Sequence, residues 1–127
     1  MFQEGHYKRF SLNADFATAV FTECINNGFA VAAVKNGSII GYLFAMKGQP
    51  MYANEWVAQE CLFYLHPDHR KGRTAIKMIW MLKDWAKAEG LVEVHMGITA
   101  GIQSERTAKL YGFLGFEETG RIYRLCV

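Results

Sequence analysis

Short apolar runs bounded by turn residues indicate strands between residues 29 and 66. Residues 29–34 and 38–45 are largely apolar and flank an Asn-Gly pair at 36–37, the dipeptide most typical of a tight hairpin turn. A third apolar run covers about residues 56–66 and stops at a proline, which cannot donate a hydrogen bond to a sheet ladder. The pattern therefore predicts an antiparallel hairpin followed by a third long strand.

The period of the pattern changes to that of a helix after Pro67. A short basic loop comes first, and the apolar side chains beyond it recur every three or four positions, as on one face of a helix. Gly90 is placed to end this helix, because glycine readily adopts the left-handed conformation found at helix C-termini. The predicted buried face consists of Ala75, Met78, Ile79, Leu82, Trp85 and Ala86.

The remaining segments predict shorter elements. A first strand at residues 7–10 precedes a helix, for which Ser11 or Asn13 can supply the N-terminal cap. The buried face of that helix is predicted to hold Ala17, Val20, Phe21, Cys24 and Ile25. Residues 92–98 have a strand pattern and residues 104–111 a helix pattern, and residues 116–127 predict a closing strand or a short hairpin. Strands and helices mixed in this order predict an α/β or α+β domain.

Composition restricts the function classes. With 127 residues, of which 51% are hydrophobic, the chain is long enough for one globular domain. The formal net charge of +2 and the lack of a basic stripe argue against a nucleic-acid partner. No apolar run approaches the roughly 20 residues of a membrane span, and no signal-peptide pattern begins the chain, so we expect no membrane partner and a cytoplasmic location. The three cysteines are odd in number and far apart, which favours neither a disulfide framework nor a zinc site.

The junction between the third strand and the long helix carries three cations, Arg70, Lys71 and Arg73. The first N–H groups of a helix lack intrahelical partners, and the helix dipole favours negative charge beside them. A strand, a basic turn and a helix in this order predict a site for a phosphate or pyrophosphate. A solvated basic loop without a ligand is the alternative.

The sequence Leu65-His-Pro-Asp-His-Arg-Lys-Gly-Arg-Thr-Ala75 resembles the cofactor loop of the GNAT superfamily of N-acetyltransferases. The family pattern there is Arg or Gln, two residues, Gly, one residue, and then Gly or Ala. Arg70 matches the first position and Ala75 the last, whereas Arg73 stands where the family has its middle glycine. This alignment needs no gap from the loop through the whole of the long helix.

A second block also resembles the family. The sequence Ser104-Glu-Arg-Thr-Ala-Lys-Leu-Tyr111-Gly-Phe-Leu-Gly115-Phe116 is similar to its closing motif, which has Asn, then Leu-Tyr, then Gly-Phe at these spacings. Ser104 takes the place of the asparagine. The two blocks and the elements between them cover roughly the second half of the chain, whereas the first half matches only in the order of its elements.

The resemblance implies a single GNAT-like acetyltransferase domain over residues 1–127. Its fold would be α/β (α+β), with a mixed, mostly antiparallel central sheet flanked by helices and with splayed central strands. It also implies acetyl-CoA as the acetyl donor and no metal. The pantetheine arm would pair with the edge of the third strand, and the basic turn would hold the pyrophosphate. The implied cofactor residues are Phe63, Tyr64, Leu65, Arg70, Lys71, Gly72, Arg73, Thr74, Ala75 and Ser104.

The implied reaction is N-acetylation of a primary amine, on a small molecule or a protein, by direct transfer through a tetrahedral intermediate. Such a reaction needs a base for the amine and an acid for the departing thiolate. Glu60 is the candidate base, because a lone carboxylate in an apolar strand is expected to have a raised pKa; a carboxylate facing solvent at the strand end is the alternative. Tyr111 matches the family's tyrosine and is the candidate acid, and its alternative is an amphipathic tyrosine that seals a helix end.

Other side chains leave further hypotheses open. His95 either assists proton transfer or is a core or solvent-facing histidine. Cys61 beside Glu60 would allow a covalent mechanism, although the resemblance implies direct transfer. His66 and His69 are three residues apart but lack a third metal ligand.

A second class of function is a GNAT-fold binding or assembly module with little or no catalytic activity. The substitutions at Arg73 and Ser104 favour it. Three apolar side chains of the long helix, Ile76, Trp80 and Met81, lie outside its predicted buried face. Either neighbouring elements cover them or they form the interface of a homodimer.

Overall fold

A computed structural model of the chain describes residues 5–98 and 104–127. Within these two ranges, a four-stranded sheet is combined with three α-helices and two short 3₁₀ helices. In chain order, the elements are a 3₁₀ helix at Gly5–Arg9, α1 at Ala14–Asn27, β1 at Phe29–Lys35, β2 at Ser38–Gly48, β3 at Val57–Leu65, a 3₁₀ helix at Pro67–His69, α2 at Thr74–Ala88, β4 at Val94–His95 and α3 at Ser104–Phe113. The expected α/β fold with a mostly antiparallel sheet is confirmed.

The described residues form two compact units. The larger one, Leu12–Met96, contains α1, the sheet and α2. The other consists of the described residues at the chain ends, 5–11, 97–98 and 104–127, and contains α3. Within this second unit, Arg9 donates a hydrogen bond from Nη1 to Sγ of Cys126 over 3.0 Å.

The strands follow the order β1-β2-β3-β4 across the sheet. The first two pairings are antiparallel. The hairpin turn has positive φ at both central residues, 51° at Asn36 and 78° at Gly37, as a type I′ turn requires. β4 runs parallel to β3 but pairs only at Ala58 and Gln59. Within the described residues, β3 and β4 are therefore paired only near the Val57 end of β3 and are unpaired along the rest of it.

A β-bulge interrupts the ladder between β2 and β3. Ala45 lies opposite Glu60 and Phe44 lies opposite Leu62, so Cys61 is an extra residue on β3. A bulge leaves one residue unpaired and bends its strand. The bend falls immediately beyond the short stretch in which β3 pairs with β4.

Helix α1 covers one face of the hairpin. Of the two candidate caps, Asn13 acts as the cap, because its Oδ1 accepts a hydrogen bond from the N–H of Phe16 over 2.9 Å. The ring of Phe21 stacks on Phe44 with 4.7 Å between centroids. Cys24 is fully buried, but Ile25, predicted to be buried, is 64% exposed. The helix therefore packs through a narrower apolar face than the sequence pattern indicates.

Helix α2 covers the opposite face. Phe29 on β1 contacts Trp85 of α2, with ring centroids 5.7 Å apart. Phe29 pairs with Ala45 of β2, and the preceding residue, Phe44, faces α1. Because adjacent residues of a strand point to opposite faces, Phe29 and α2 lie on the face opposite α1. The predicted face of α2 is confirmed, with five residues buried and Trp85 half-buried. Gly90, with φ 73°, ends the helix, and Leu91 N–H donates to the carbonyl of Ala86, as in a Schellman motif.

Three predicted strands differ from the structure. Residues 7–10 lie largely in a 3₁₀ helix, closed by a hydrogen bond from the N–H of Phe10 to the carbonyl of Tyr7 over 3.0 Å. The strand expected at 92–98 is limited to Val94–His95, because β3 pairs with it at only two positions. Residues 116–127 are not a strand, and no ladder pairs with them in the described part of the chain. A strand needs such a partner to persist.

Candidate functional site

The turn before α2 presents a row of backbone donors. The N–H groups from Lys71 to Ile76 have no hydrogen-bond acceptor within the described residues. The first intrahelical bond of α2 comes later, from the N–H of Lys77 to the carbonyl of Arg73. Neither Arg73, which occupies the cap position, nor any other side chain caps the helix. Six consecutive donors therefore lie at the turn where the positive end of the helix dipole is found, an arrangement suited to an anion.

Arg73 fits its position without backbone strain. Its φ of −91° and ψ of 1° lie outside the left-handed region that favours glycine. Its side chain is exposed and makes no hydrogen bond or ion pair among the described residues. A side chain at Gly72 would also meet no atom within 4 Å. The arginine in place of the family's glycine therefore adds a charge to the turn and does not distort it.

Arg70 joins the turn to the end of β3. Its Nε donates a hydrogen bond to the carbonyl oxygen of Leu65 over 2.6 Å, and its guanidinium carbon lies 5.5 Å from the ring centroid of Tyr64. A planar guanidinium can donate and stack on a ring at the same time. Arg70 therefore fixes the turn against the strand, and the carbonyl of Leu65 already has a donor.

The outer edge of β3 is available beyond its two-residue pairing with β4. The N–H of His66 donates to the carbonyl of Ile40 on β2 over 2.7 Å. Because backbone groups alternate between the two edges of an antiparallel strand, those of Phe63 and Leu65 point away from β2. No strand pairs with that edge at these positions within the described residues. The side chains of Phe63 and Tyr64 are half-buried and that of Leu65 is buried.

Glu60 lies at the bulge in the middle of β3. Its side chain is half-buried, and the next residue is the unpaired Cys61. Burial raises the pKa of the Cys61 thiol and raises that of Cys24 to about 12. Because the reactive species is the thiolate, neither thiol is activated as a nucleophile. The structure thus gives no support to a covalent mechanism through Cys61.

Ser104 and Tyr111 belong to the unit formed by the chain ends, and the other predicted site residues belong to Leu12–Met96. Tyr111 is 7% exposed, and its hydroxyl donates to the carbonyl of Gly97 over 3.2 Å. Its ring lies 5.3 Å from that of Phe116, centroid to centroid. Ser104 is the exposed first residue of α3. The structure therefore assembles Glu60, the strand edge and the basic turn in one unit, whereas Tyr111 is buried in the other.

Sequence reasoning missed two features of this region. One is the bulge at Cys61, for which the sequence offers no signal. The other is a pair formed by His95 of β4 and Glu93 just before it, in which Nε2 of His95 lies 2.6 Å from Oε2 of Glu93. The spacing of two residues could have indicated this pair, because residues i and i+2 of a strand lie on the same face.

The described residues hold neither a cluster of metal ligands nor a helix suited to span a membrane. No three His, Cys, Asp or Glu side chains lie together as a metal site would require, and the rings of His66 and His69 are 5.9 Å apart. No described helix combines the length and apolar character needed to cross a membrane. A surface groove of about 480 Å³ lies near Trp56 and Glu89, at the opposite end of β3 and α2 from the basic turn.

Solved structures of known proteins share this fold. AAC(6')-Iy in complex with the bisubstrate analogue CoA-S-monomethyl-acetylneamine has a TM-score of 0.71 and 21% identity, over 91% of this chain and 82% of that one. A transcriptional regulator from Bacillus halodurans C-125 has a TM-score of 0.72 and 18% identity, over 91% and 77%. Ribosomal-protein-alanine N-acetyltransferase from Brucella melitensis biovar Abortus 2308 has a TM-score of 0.62 and 20% identity, over 77% of this chain and 70% of that one.

These structural similarities, all below 25% identity, establish the fold alone. A search of curated proteins gives no match. A model of the acetyltransferase (GNAT) family matches residues 2–116. That range includes both the basic turn with its unpartnered amides and the block from Ser104 to Phe116. The chain is therefore a member of the acetyltransferase (GNAT) family, a family of acyltransferases.

Proposed function

We propose that this protein transfers the acetyl group of acetyl-CoA to a primary amine by direct attack. The observation that carries the proposal is the row of six N–H groups from Lys71 to Ile76 that have no acceptor among the described residues, beside an edge of β3 with which none of them pairs. Such a row suits the pyrophosphate of coenzyme A, and the strand edge suits its pantetheine arm.

The cofactor would be held by backbone and side chains together. The amides of Lys71 to Ala75 would bind the pyrophosphate, and the cations of Lys71 and Arg73 would add charge-assisted contacts. The pantetheine amides would pair with the outward groups of Phe63 and with the N–H of Leu65. Arg70 would contribute chiefly by fixing the turn, because its Nε already donates to the Leu65 carbonyl. Ser104 is the proposed contact from α3.

For catalysis we assign Glu60 as a base and Tyr111 as the acid. Glu60 is half-buried at the bulge, where a cofactor arm that runs along β3 from the basic turn would end. Tyr111 has a hydroxyl proton that it donates to Gly97. It would redirect that proton to the departing thiolate, which needs one for efficient loss. The whole chain would act as one acetyltransferase domain, as expected from the sequence.

The acceptor is proposed at the level of a primary amine. One structural neighbour was solved with an acetylneamine analogue, and another is a ribosomal-protein-alanine N-acetyltransferase. They support both a small-molecule and a protein amine. A cytoplasmic location and a homodimer stay predictions from the sequence.

A thiol-release assay tests the function. Acetyl-CoA would be supplied with neamine or with a short peptide that begins with alanine, and free thiol would be recorded. We expect release with at least one of these amines, and we expect Glu60→Gln and Tyr111→Phe each to lower kcat about 100-fold. Unchanged kcat in both variants would remove the assigned roles. Acetyl-CoA binding without release would favour the binding-module alternative.

A further inference from the structure

His95 of β4 and Glu93, which directly precedes that strand, form a close pair near the proposed site. Nε2 of His95 lies 2.6 Å from Oε2 of Glu93. A carboxylate can only accept, so the hydrogen between the two atoms lies on Nε2, and when the ring is neutral Nδ1 carries the free lone pair. His95 makes no other hydrogen bond among the described residues, and its side chain is 47% exposed. The pair therefore presents a proton acceptor to solvent in a fixed tautomer.

His66 provides a contrast within the same unit. Its Nδ1 already accepts a hydrogen bond from the N–H of Asp68 over 3.3 Å, so its acceptor atom serves the local turn. Its nearest carboxylate oxygen, on Asp68, is 3.7 Å away. Of these two histidines, only His95 combines a hydrogen-bonded carboxylate with an unoccupied acceptor nitrogen.

The position of His95 in the sheet gives the pair its significance. β4 pairs with β3 only at Ala58 and Gln59, and His95 is the residue opposite Gln59. The next residue of β3 is Glu60, followed by the bulge at Cys61. A cofactor arm paired with β3 from Leu65 backwards could extend only to this junction, roughly 20 Å along the strand at its ordinary rise. His95 therefore stands where the reactive end of the arm would stop.

We propose that His95 accepts a proton from the acceptor amine and that Glu93 positions its imidazole; this rests on the proposed function. An amine that arrives as an ammonium ion loses two protons from nitrogen before it becomes an amide, one before attack and one from the tetrahedral intermediate. One of them can return to the thiolate through Tyr111, and one is released. His95 is assigned the first of these two protons.

The step assigned to His95 is the first. Nδ1 of the neutral imidazole takes one proton from the ammonium group, and the electron pair of that N–H bond stays on nitrogen. The resulting imidazolium keeps its Nε2–H on the Glu93 carboxylate, whose negative charge stabilises it. The free amine then attacks the thioester carbonyl, a C–N bond forms, and the C–S bond breaks as the thiolate leaves. The imidazolium afterwards returns its proton to water.

The test compares four variants in the thiol-release assay, with neamine and an alanine-initiated peptide as acceptors. His95→Ala and His95→Gln remove the acceptor nitrogen, Glu93→Gln removes the charge behind it, and Asp84→Asn is the control. Asp84 is an exposed carboxylate on α2 with no role in the site. Acetyl-CoA binding by calorimetry and thermal unfolding are measured for each, so that loss of folding or of cofactor binding is separated from loss of turnover.

We expect His95→Ala and His95→Gln to lower kcat about 100-fold, with an unchanged Kd for acetyl-CoA. Free imidazole should restore part of the activity of His95→Ala and none of that of His95→Gln, whose side chain fills the space. Glu93→Gln should give a smaller loss, in kcat and not in KM, and Asp84→Asn none.

Two results overturn the inference in distinguishable ways. In the first, the unaltered protein acetylates an amine and His95→Ala does so equally well, or His95→Ala loses activity that imidazole does not restore while Glu93→Gln stays fully active. His95 is then not a proton acceptor, and the proposed function stands. If the unaltered protein releases no thiol with either amine, the proposed function fails and the role of His95 fails with it.

Discussion

At the scale of single residues, Arg73 is where the turn before α2 departs from the glycine of the family pattern. Its backbone has the ordinary φ of −91° and its side chain is exposed and without a partner among the described residues. It is therefore placed to contact a phosphate and not to block one. The family's middle glycine is replaced without a steric penalty.

Arg73→Gly should weaken acetyl-CoA binding, although it restores the family's residue. A hydrogen bond to a charged group contributes about 1.5–3 kcal/mol, so we expect Kd to rise at least about 10-fold. Lys87→Ala, which removes an exposed cation at the other end of α2, is the matched control and should leave Kd unchanged. Calorimetric titration decides the matter, and equal or tighter binding by Arg73→Gly would show that the arginine hinders the cofactor.

The buried thiol of Cys24 gives a second prediction at this scale. Burial raises its pKa from the ordinary 9.0 to about 12, so the unfolded chain releases this proton at a lower pH than the folded chain does. The folded state is fully favoured below about pH 9, and its stability should fall as pH rises from there towards 12. Burial also raises the pKa values of Tyr42 and Cys61, which adds to the same trend.

The measurement is the free energy of unfolding between pH 8 and pH 11, in the unaltered protein and in Cys24→Ala. The variant loses packing at every pH, but its stability should fall less steeply with pH. Parallel curves for the two proteins would mean that Cys24 does not titrate as its burial requires.

At the scale of elements, helix α2 is the part of the structure that the sequence predicts best. Its period, its glycine stop and its buried face could all be read from the chain, because one stripe of apolar residues packs on one sheet face. Leu82 in this stripe is fully buried, whereas the adjacent Met81 is 49% exposed.

Leu82→Ala should therefore lower the free energy of unfolding by about 2–5 kcal/mol through lost burial and a residual cavity. Met81→Ala, a change of similar size at the next position, should cost less than about 1 kcal/mol. Chemical denaturation of both variants provides the comparison. Equal losses would imply that another molecule covers Met81 in solution, as the homodimer hypothesis requires.

The elements that the sequence did not predict depend on long-range pairing. Residues 92–98 alternate like a strand, yet only Val94–His95 pair with β3. Residues 7–10 are too short for their pattern to choose between a strand and the observed 3₁₀ helix. The bulge at Cys61 depends on the register of β2 against β3, which no local pattern encodes. These pairings determine where β3 and β4 stop pairing with each other, and hence where Glu60 and His95 lie.

At the scale of the whole molecule, the fold is shared by proteins with different tasks. The structural neighbours include an aminoglycoside acetyltransferase and a ribosomal-protein-alanine N-acetyltransferase, as well as a protein described as a transcriptional regulator. The fold that they share therefore does not determine which molecule accepts the acetyl group. The sequence could predict the basic turn before α2 because such a turn is local and follows from one strand, one loop and one helix. It could not predict the acceptor, because an acceptor site is assembled from distant side chains whose types are generic.

The measurement that tests the central claim most directly is calorimetric titration of the protein with acetyl-CoA at physiological salt, with adenosine 3',5'-bisphosphate as a control. The bisphosphate carries comparable charge but lacks the pyrophosphate and the pantetheine arm. A working cofactor site at the turn and the β3 edge predicts micromolar binding of acetyl-CoA and much weaker binding of the control. Absence of binding, or equal binding of the two ligands, would contradict the account, because the turn would then attract charge without holding the cofactor.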